Sequence, residues 1–171
     1  MRSLVGYTTR AWRISCLLTI GKWPLTSPGL TAANLDLMRL SAEIVYIRLH
    51  GMPGQHHLYG DPGWPTALSA VDVASSEAFR KTKLVFLEGC FGQEMADAFL
   101  AAGAQTVIGS DRITWSRALR VGPASKVGQK TIAAARKGKD VSAALLEGLT
   151  YVAPIHALGW AIAGDERMKL K

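Results

Sequence analysis

The chain has 171 residues, 49% of them hydrophobic, and a formal net charge of +7 from 20 Lys and Arg against 13 Asp and Glu. That length carries one domain with a substantial core and excludes a multidomain machine, while the apolar content excludes a disordered chain. The basic residues are scattered, with no five-residue window holding more than three Lys or Arg, so the charge reads as solubility, and neither a nucleic-acid nor a membrane partner is expected.

No run approaches the roughly 18 apolar residues of a membrane span. Arg2, Arg10, Arg13 and Lys22 precede the first acid, Asp36, which is the composition of a targeting segment. The apolar run at 14–21 is short, however, and no small-residue cleavage site follows it, so a core strand is the preferred reading. Two cysteines, Cys16 and Cys90, are too few for a disulfide framework and point to a reducing compartment, the cytoplasm. Cys16 lies inside an apolar run, where cysteine serves as a small buried hydrophobe.

In chain order, residues 12–20, "WRISCLLTI", are rich enough in β-branched and aromatic side chains to predict a buried strand. A loop with two prolines and a glycine follows at 22–31, then a short helix at 32–40 with Thr31 as its N-cap. A second strand runs over 44–51, and a long loop over 52–66 with three prolines and three glycines. Ser69 and Asp72 open a helix to about residue 79. The continuous apolar run at 83–89 predicts a strand covered on both faces. Met95, Ala98, Phe99 and Ala102 give a helix over 92–103 that Gly103 stops, and 105–110 is the next strand. Helices follow at 124–137 and at 141–149, the second capped by Asp140, and a last strand at 155–164. Alternating strands and helices predict an α/β fold with a mostly parallel sheet.

In open parallel sheets, reactive groups sit beyond the carboxyl ends of the strands. Two such ends carry chemistry: His50 with Gly51, and Cys90 in "LVFLEGCFG". Neighbouring strands lie about 5 Å apart, so imidazole and thiol can meet above the sheet if these two are adjacent. A cysteine at the strand-to-helix turn faces the positive end of the following helix, which favours the thiolate, as does a nearby imidazole. The backbone N–H groups of Gly51 and Cys90 are then natural donors to an oxyanion.

At these residues the chain resembles the caspase-like cysteine peptidases, the group of caspases, metacaspases, clostripain, gingipains and legumain, and above all their compact CHAT-domain branch. Four blocks carry the likeness in order: "AEIVYIRLHG", "TALSAVDVASSEAFRKTKLVFLEGC", "MADAFLAAGAQTVIGS" and "LGWAIAGD". Their spacing and order agree with the family over about residues 31–166. The resemblance implies a caspase-like three-layer sandwich, a mostly parallel sheet with helices on both faces, occupying 31–171, with a poorly matched strand and loop at 1–30. It makes Cys90 the nucleophile, His50 the general acid/base, and Gly51 and Cys90 the oxyanion donors, acting on a peptide or protein substrate with no cofactor. Glu88 stands where metacaspases and clostripain hold an aspartate that binds a basic side chain, and Asp111 is a second candidate for lining that substrate pocket. The chain departs from the family in reading Glu-Gly-Cys where many CHAT domains read Ser-Ala-Cys, and in the segment 110–123, "SDRITWSRALRVGP".

His56, His57 and Asp61 follow His50 in the long loop, but adjacent histidines chelate one ion poorly and no second pair follows, so no metal is expected. Two other readings compete. An α/β-hydrolase would use Cys90, Asp111 and His156 in that chain order, and a non-catalytic interaction module would keep the sheet as a scaffold alone.

Overall fold

The computed structural model describes residues 3–27, 29–61, 63–114 and 122–170. In chain order its elements are β1 (Leu4–Thr9), α1 (Arg13–Ile20), β2 (Leu25–Ser27), β3 (Ile44–Arg48), β4 (His50–Gly51), β5 (His57–Tyr59), β6 (Thr66–Ser69), α2 (Ala70–Ala74), β7 (Leu84–Leu87), α3 (Ala96–Ala101), β8 (Thr106–Ser110), α4 (Pro123–Arg136), α5 (Val141–Leu149), α6 (Pro154–Ala157) and β9 (Trp160–Gly164). Six strands form the main sheet in the order β2-β1-β3-β7-β8-β9, and β4, β5 and β6 form a small antiparallel sheet. Every pairing in the main sheet is parallel except β8 with β9.

The central strands are apolar on both sides because both faces are covered, and alternate residues feed two cores. Val45, Ile47, Val85, Leu87 and Val107 pack with Val73, Phe79 and Phe99 from the side of α2 and α3. Ile44, Tyr46, Leu84, Phe86 and Ile108 pack with Cys16, Val127, Ile132 and Leu145 from the side of α1, α4 and α5. Each fully buried side chain of this size contributes about 1.5–3 kcal/mol. The expected α/β architecture, a mostly parallel sheet between two helical layers, is what the chain adopts.

The N-terminal segment departs from the sequence reading. Residues 12–20 are not a strand: Arg13–Ile20 is helical, burying Ser15, Cys16, Thr19 and Ile20, and it ends where Gly21 takes the left-handed conformation at φ 72°. The β-branched residues that suggested a strand sit on its two sides, two facing the sheet and Ile14 facing solvent. The strand is Leu4–Thr9, paired with both β2 and β3, so this region supplies an interior strand, β1, and the edge strand, β2, of the main sheet. Gly6 breaks its apolar pattern, and the packing explains the glycine: a Cβ there would stand 3.3 Å from the Cys16 sulfur and overlap Ile20 of α1.

Other differences are local. In place of a helix over 32–40, the Asn34 side chain accepts the Thr31 N–H at 2.7 Å, and only a 3-10 turn, Leu37–Leu40, forms behind the Asp36 cap. The helix from Ser69 stops at Ala74, and Ser76 caps a separate 3-10 turn, Glu77–Phe79. The 44–51 strand breaks at Leu49, where the chain leaves β3 for the small sheet, and the 52–66 loop contains β5. The 155–164 strand begins only at Trp160, after the short α6. Helix α5 has the predicted bounds and cap, with Asp140 accepting the Ala143 N–H. Of the segment 110–123, residues 115–121 lie outside the described residues.

Candidate functional site

β3 and β7 are adjacent and parallel, in register from Ile44 opposite Leu84 to Ile47 opposite Leu87. The next residues of the two strands therefore emerge together at their carboxyl ends. Arg48 and Glu88 come first, with His50 and Cys90 two positions further along each chain.

The first pair is sealed. Arg48 Nε lies 3.1 Å from Glu88 Oε1, and both side chains are fully buried. The carboxylate also accepts from the Ser125 hydroxyl at 2.6 Å and from the Tyr46 hydroxyl, and Arg48 donates to Ser15 Oγ. The guanidinium lies against the Trp12 ring, 5.0 Å from its centroid. Burial pushes Arg48 down to about 10, which leaves it charged at neutral pH. Cys16 is buried beside this pair; burial and, secondarily, the charge of Glu88 push its thiol far up, so it stays protonated.

The second pair is open. Cys90 sits on a turn closed by a 3.2 Å bond from Gly92 N–H to the Gly89 carbonyl, with Phe91 held in the left-handed region at φ 54°. A side chain costs energy in that conformation, and such positions concentrate at functional sites. The helix expected to face the sulfur begins as a 3-10 turn, Gly92–Met95. The amide donor to the sulfur comes instead from Thr114, whose N–H points at Cys90 Sγ from 3.3 Å. The two glycines answer to sterics. A Cβ on Gly89 would lie 2.7 Å from the Leu49 carbonyl oxygen, and one on Gly51 would overlap the Cys90 carbonyl oxygen. The chain behind His50 and the chain bearing Cys90 thus meet backbone to backbone.

His50 is held on three sides. Nε2 lies 3.0 Å from Asp61 Oδ1, the Trp64 ring stacks on it at 4.3 Å, and the Trp12 ring is tilted against it at 4.5 Å. His50, Cys90, Trp12, Leu49, Ile113 and Thr114 line one cavity of about 260 Å³, with Glu88 and Gly89 completing its wall. The arrangement places a sulfur that accepts an amide hydrogen bond and an imidazole with one anchored nitrogen around a space open to a small group. That is the equipment of nucleophilic catalysis.

The remaining expected residues lie elsewhere or are otherwise engaged. Glu88 contributes to the cavity wall, but its side chain is fully buried and its charge is matched by Arg48. Asp111 is 61% exposed, pairs with its neighbour Arg112 at 3.4 Å, and does not line the cavity. His156 lines a separate small pocket with Ile155, Leu158 and Trp160. His56 bonds through Nδ1 to the Glu94 carbonyl, His57 packs toward Tyr59, and no group of three His, Cys, Asp or Glu among the described residues is placed to hold a metal ion.

Sequence reasoning missed four residues that touch His50 or Cys90. Asp61 was visible only as a poor metal ligand and Trp12 only as part of an expected strand, whereas Trp64 and Thr114 reach His50 and Cys90 through folds of the chain that no spacing announces. No protein-family model matches the chain, and no curated protein matches it. No helix among the described residues is long and apolar enough to cross a membrane.

Proposed function

We propose that this protein is a cysteine endopeptidase of the caspase-like kind, with the caspase-like sandwich as its fold and His50 and Cys90 as its catalytic dyad. The observation that carries the reading is that these two side chains, forty positions apart, line one cavity at the carboxyl ends of adjoining parallel strands. The α/β-hydrolase alternative needs His156 in that place, and His156 belongs to another pocket.

The chemistry follows from the groups present. The Cys90 proton passes to His50, and the thiolate sulfur attacks the scissile carbonyl carbon, forming a C–S bond and an oxyanion that the Gly51 and Cys90 amides receive. As the C–N bond breaks, the imidazolium gives its proton to the departing amine. Water then attacks the thioester, His50 takes the water proton, and the carboxylic acid leaves as the thiol is restored. The net reaction is one peptide bond and one water converted to one acid and one amine, with no cofactor. Because Arg48 already matches the charge of Glu88, the proposal includes no requirement for a basic residue before the scissile bond.

A fluorogenic peptide library screened with the wild type, Cys90→Ala and His50→Ala tests this. Turnover by the wild type that both variants lack supports the dyad; equal signals from all three proteins rule it out. Loss on His156→Ala with His50→Ala active would move the base to the other histidine.

A further inference from the structure

His50 is an unusual histidine for its surroundings. It lies on a two-residue strand, β4, whose partner β5 leads into a six-residue connection, 60–65, returning to β6. That connection is closed at its base by a 2.9 Å bond from Gly60 N–H to the Pro65 carbonyl. From it come both the Asp61 carboxylate, 3.0 Å from Nε2, and the Trp64 ring that stacks on the imidazole with an interplanar angle of 26°. Trp64 reaches the ring only by adopting φ 55°, a conformation that a bulky residue disfavours, and Gly63 before it is also left-handed at φ 74°. The fold keeps this tryptophan, still 46% exposed, in a left-handed conformation while it stacks on the imidazole.

We infer that Asp61 and Trp64 are the positioning device of the proposed dyad: Asp61 fixes the imidazole through Nε2, so that Nδ1 is the nitrogen that exchanges the proton with Cys90, and Trp64 fixes the ring plane against Trp12. This rests on the peptidase reading for its catalytic consequence, but not for the geometry of the ring. Neutral His50 carries its proton on Nε2, donated to Asp61, and its lone pair on Nδ1. When the ring takes a second proton, the positive charge is met by the Asp61 carboxylate at one edge and by the neighbouring indoles of Trp64 and Trp12. Asp61 and Trp64 are positioning residues: they act on substrate only through His50.

The test uses the full chain and two readouts. The first is the ¹⁵N spectrum of the His50 ring, recorded in the neutral form in the Cys90→Ser background so that no turnover is needed. The second is kcat and KM on any peptide the wild type cleaves. Asp61→Asn is expected to move the neutral ring away from the Nε2-protonated tautomer and to lower kcat by about 10²- to 10⁴-fold with little change in KM, with partial recovery in Asp61→Glu. Trp64→Asn, which tolerates the left-handed backbone, is expected to keep the tautomer and the thermal midpoint while lowering kcat about tenfold. An unchanged tautomer in Asp61→Asn, or equal losses of activity and thermal midpoint in both variants, overturns the inference. A shifted tautomer in a protein that cleaves no peptide upholds the positioning role and removes the peptidase reading instead.

Discussion

Arg48 with Glu88, and two residues further along the same strands His50 with Cys90, are two polar pairs built on one pair of backbones and treated in opposite ways. The inner pair is fully buried, and its members bond to Tyr46, Ser125 and Ser15 as well as to each other. The outer pair lines a cavity, with one imidazole nitrogen anchored to Asp61 and one amide aimed at the sulfur. A charge can be retained inside a protein only when its partners are supplied. The inner pair meets that condition by itself and is structural, whereas the outer pair leaves room for a partner that the chain does not supply. The two cysteines repeat the contrast: Cys16 belongs to the sealed layer and stays a thiol, and Cys90 belongs to the open one.

That division is broken most directly by Cys90→Ala. It should remove turnover, a loss of roughly 10⁴- to 10⁶-fold, while denaturant unfolding changes by less than about 1 kcal/mol; a large loss of stability would make Cys90 a structural residue like its inner neighbours. Arg48→Met is expected to do the reverse, destabilising by about 3–5 kcal/mol because it leaves the Glu88 carboxylate buried without its countercharge. Arg48→Met combined with Glu88→Leu should cost less than the single change, which a urea titration of both proteins will show. Gly51→Ala drives a methyl into the Cys90 carbonyl oxygen, and about 1–3 kcal/mol of destabilisation together with lost alkylation selectivity at Cys90 is expected. Iodoacetamide followed by mass spectrometry should label native Cys90 at least about tenfold faster than Cys16, with the difference vanishing in denaturant. Asp111→Asn, exposed and away from the cavity, should change stability by no more than about 0.5 kcal/mol and leave kcat unchanged.

The parts of the fold legible in the sequence are those where one requirement acts alone. Strands β3, β7 and β8 are buried on both faces, so their apolar runs stand out, and α5 advertises its cap at Asp140. Strand β1 was hidden because two requirements overlap on six residues. Gly6 makes way for α1, while Thr8 and Thr9 are buried polar residues, so the segment lacks the apolar run of a central strand. Helix α1 was misread because its β-branched residues favour extended structure locally, and its packing against the sheet decides otherwise. At the site, His50 and Cys90 were legible from strand ends and neighbouring glycines. Asp61, Trp64 and Thr114 were not, since each reaches the dyad across space from a turn whose shape depends on the finished fold. Glu88 was noticed, but its match with Arg48 depends on the register of two strands forty residues apart and could not be read from either one.

The chain breaks between β3 and β4 at Leu49, so the proposed base comes from the small sheet and the proposed nucleophile from the end of a strand of the large one. His50, Asp61 and Trp64 travel with the small antiparallel layer, and Cys90 with the large one. On the proposed reading, a shift of one layer past the other by about 1 Å would alter the rate on the order of 100-fold, and Leu58, Ala67 and Leu68 of the small sheet, buried in one core with Val45, Ile47 and Leu87 of the large one, oppose that shift.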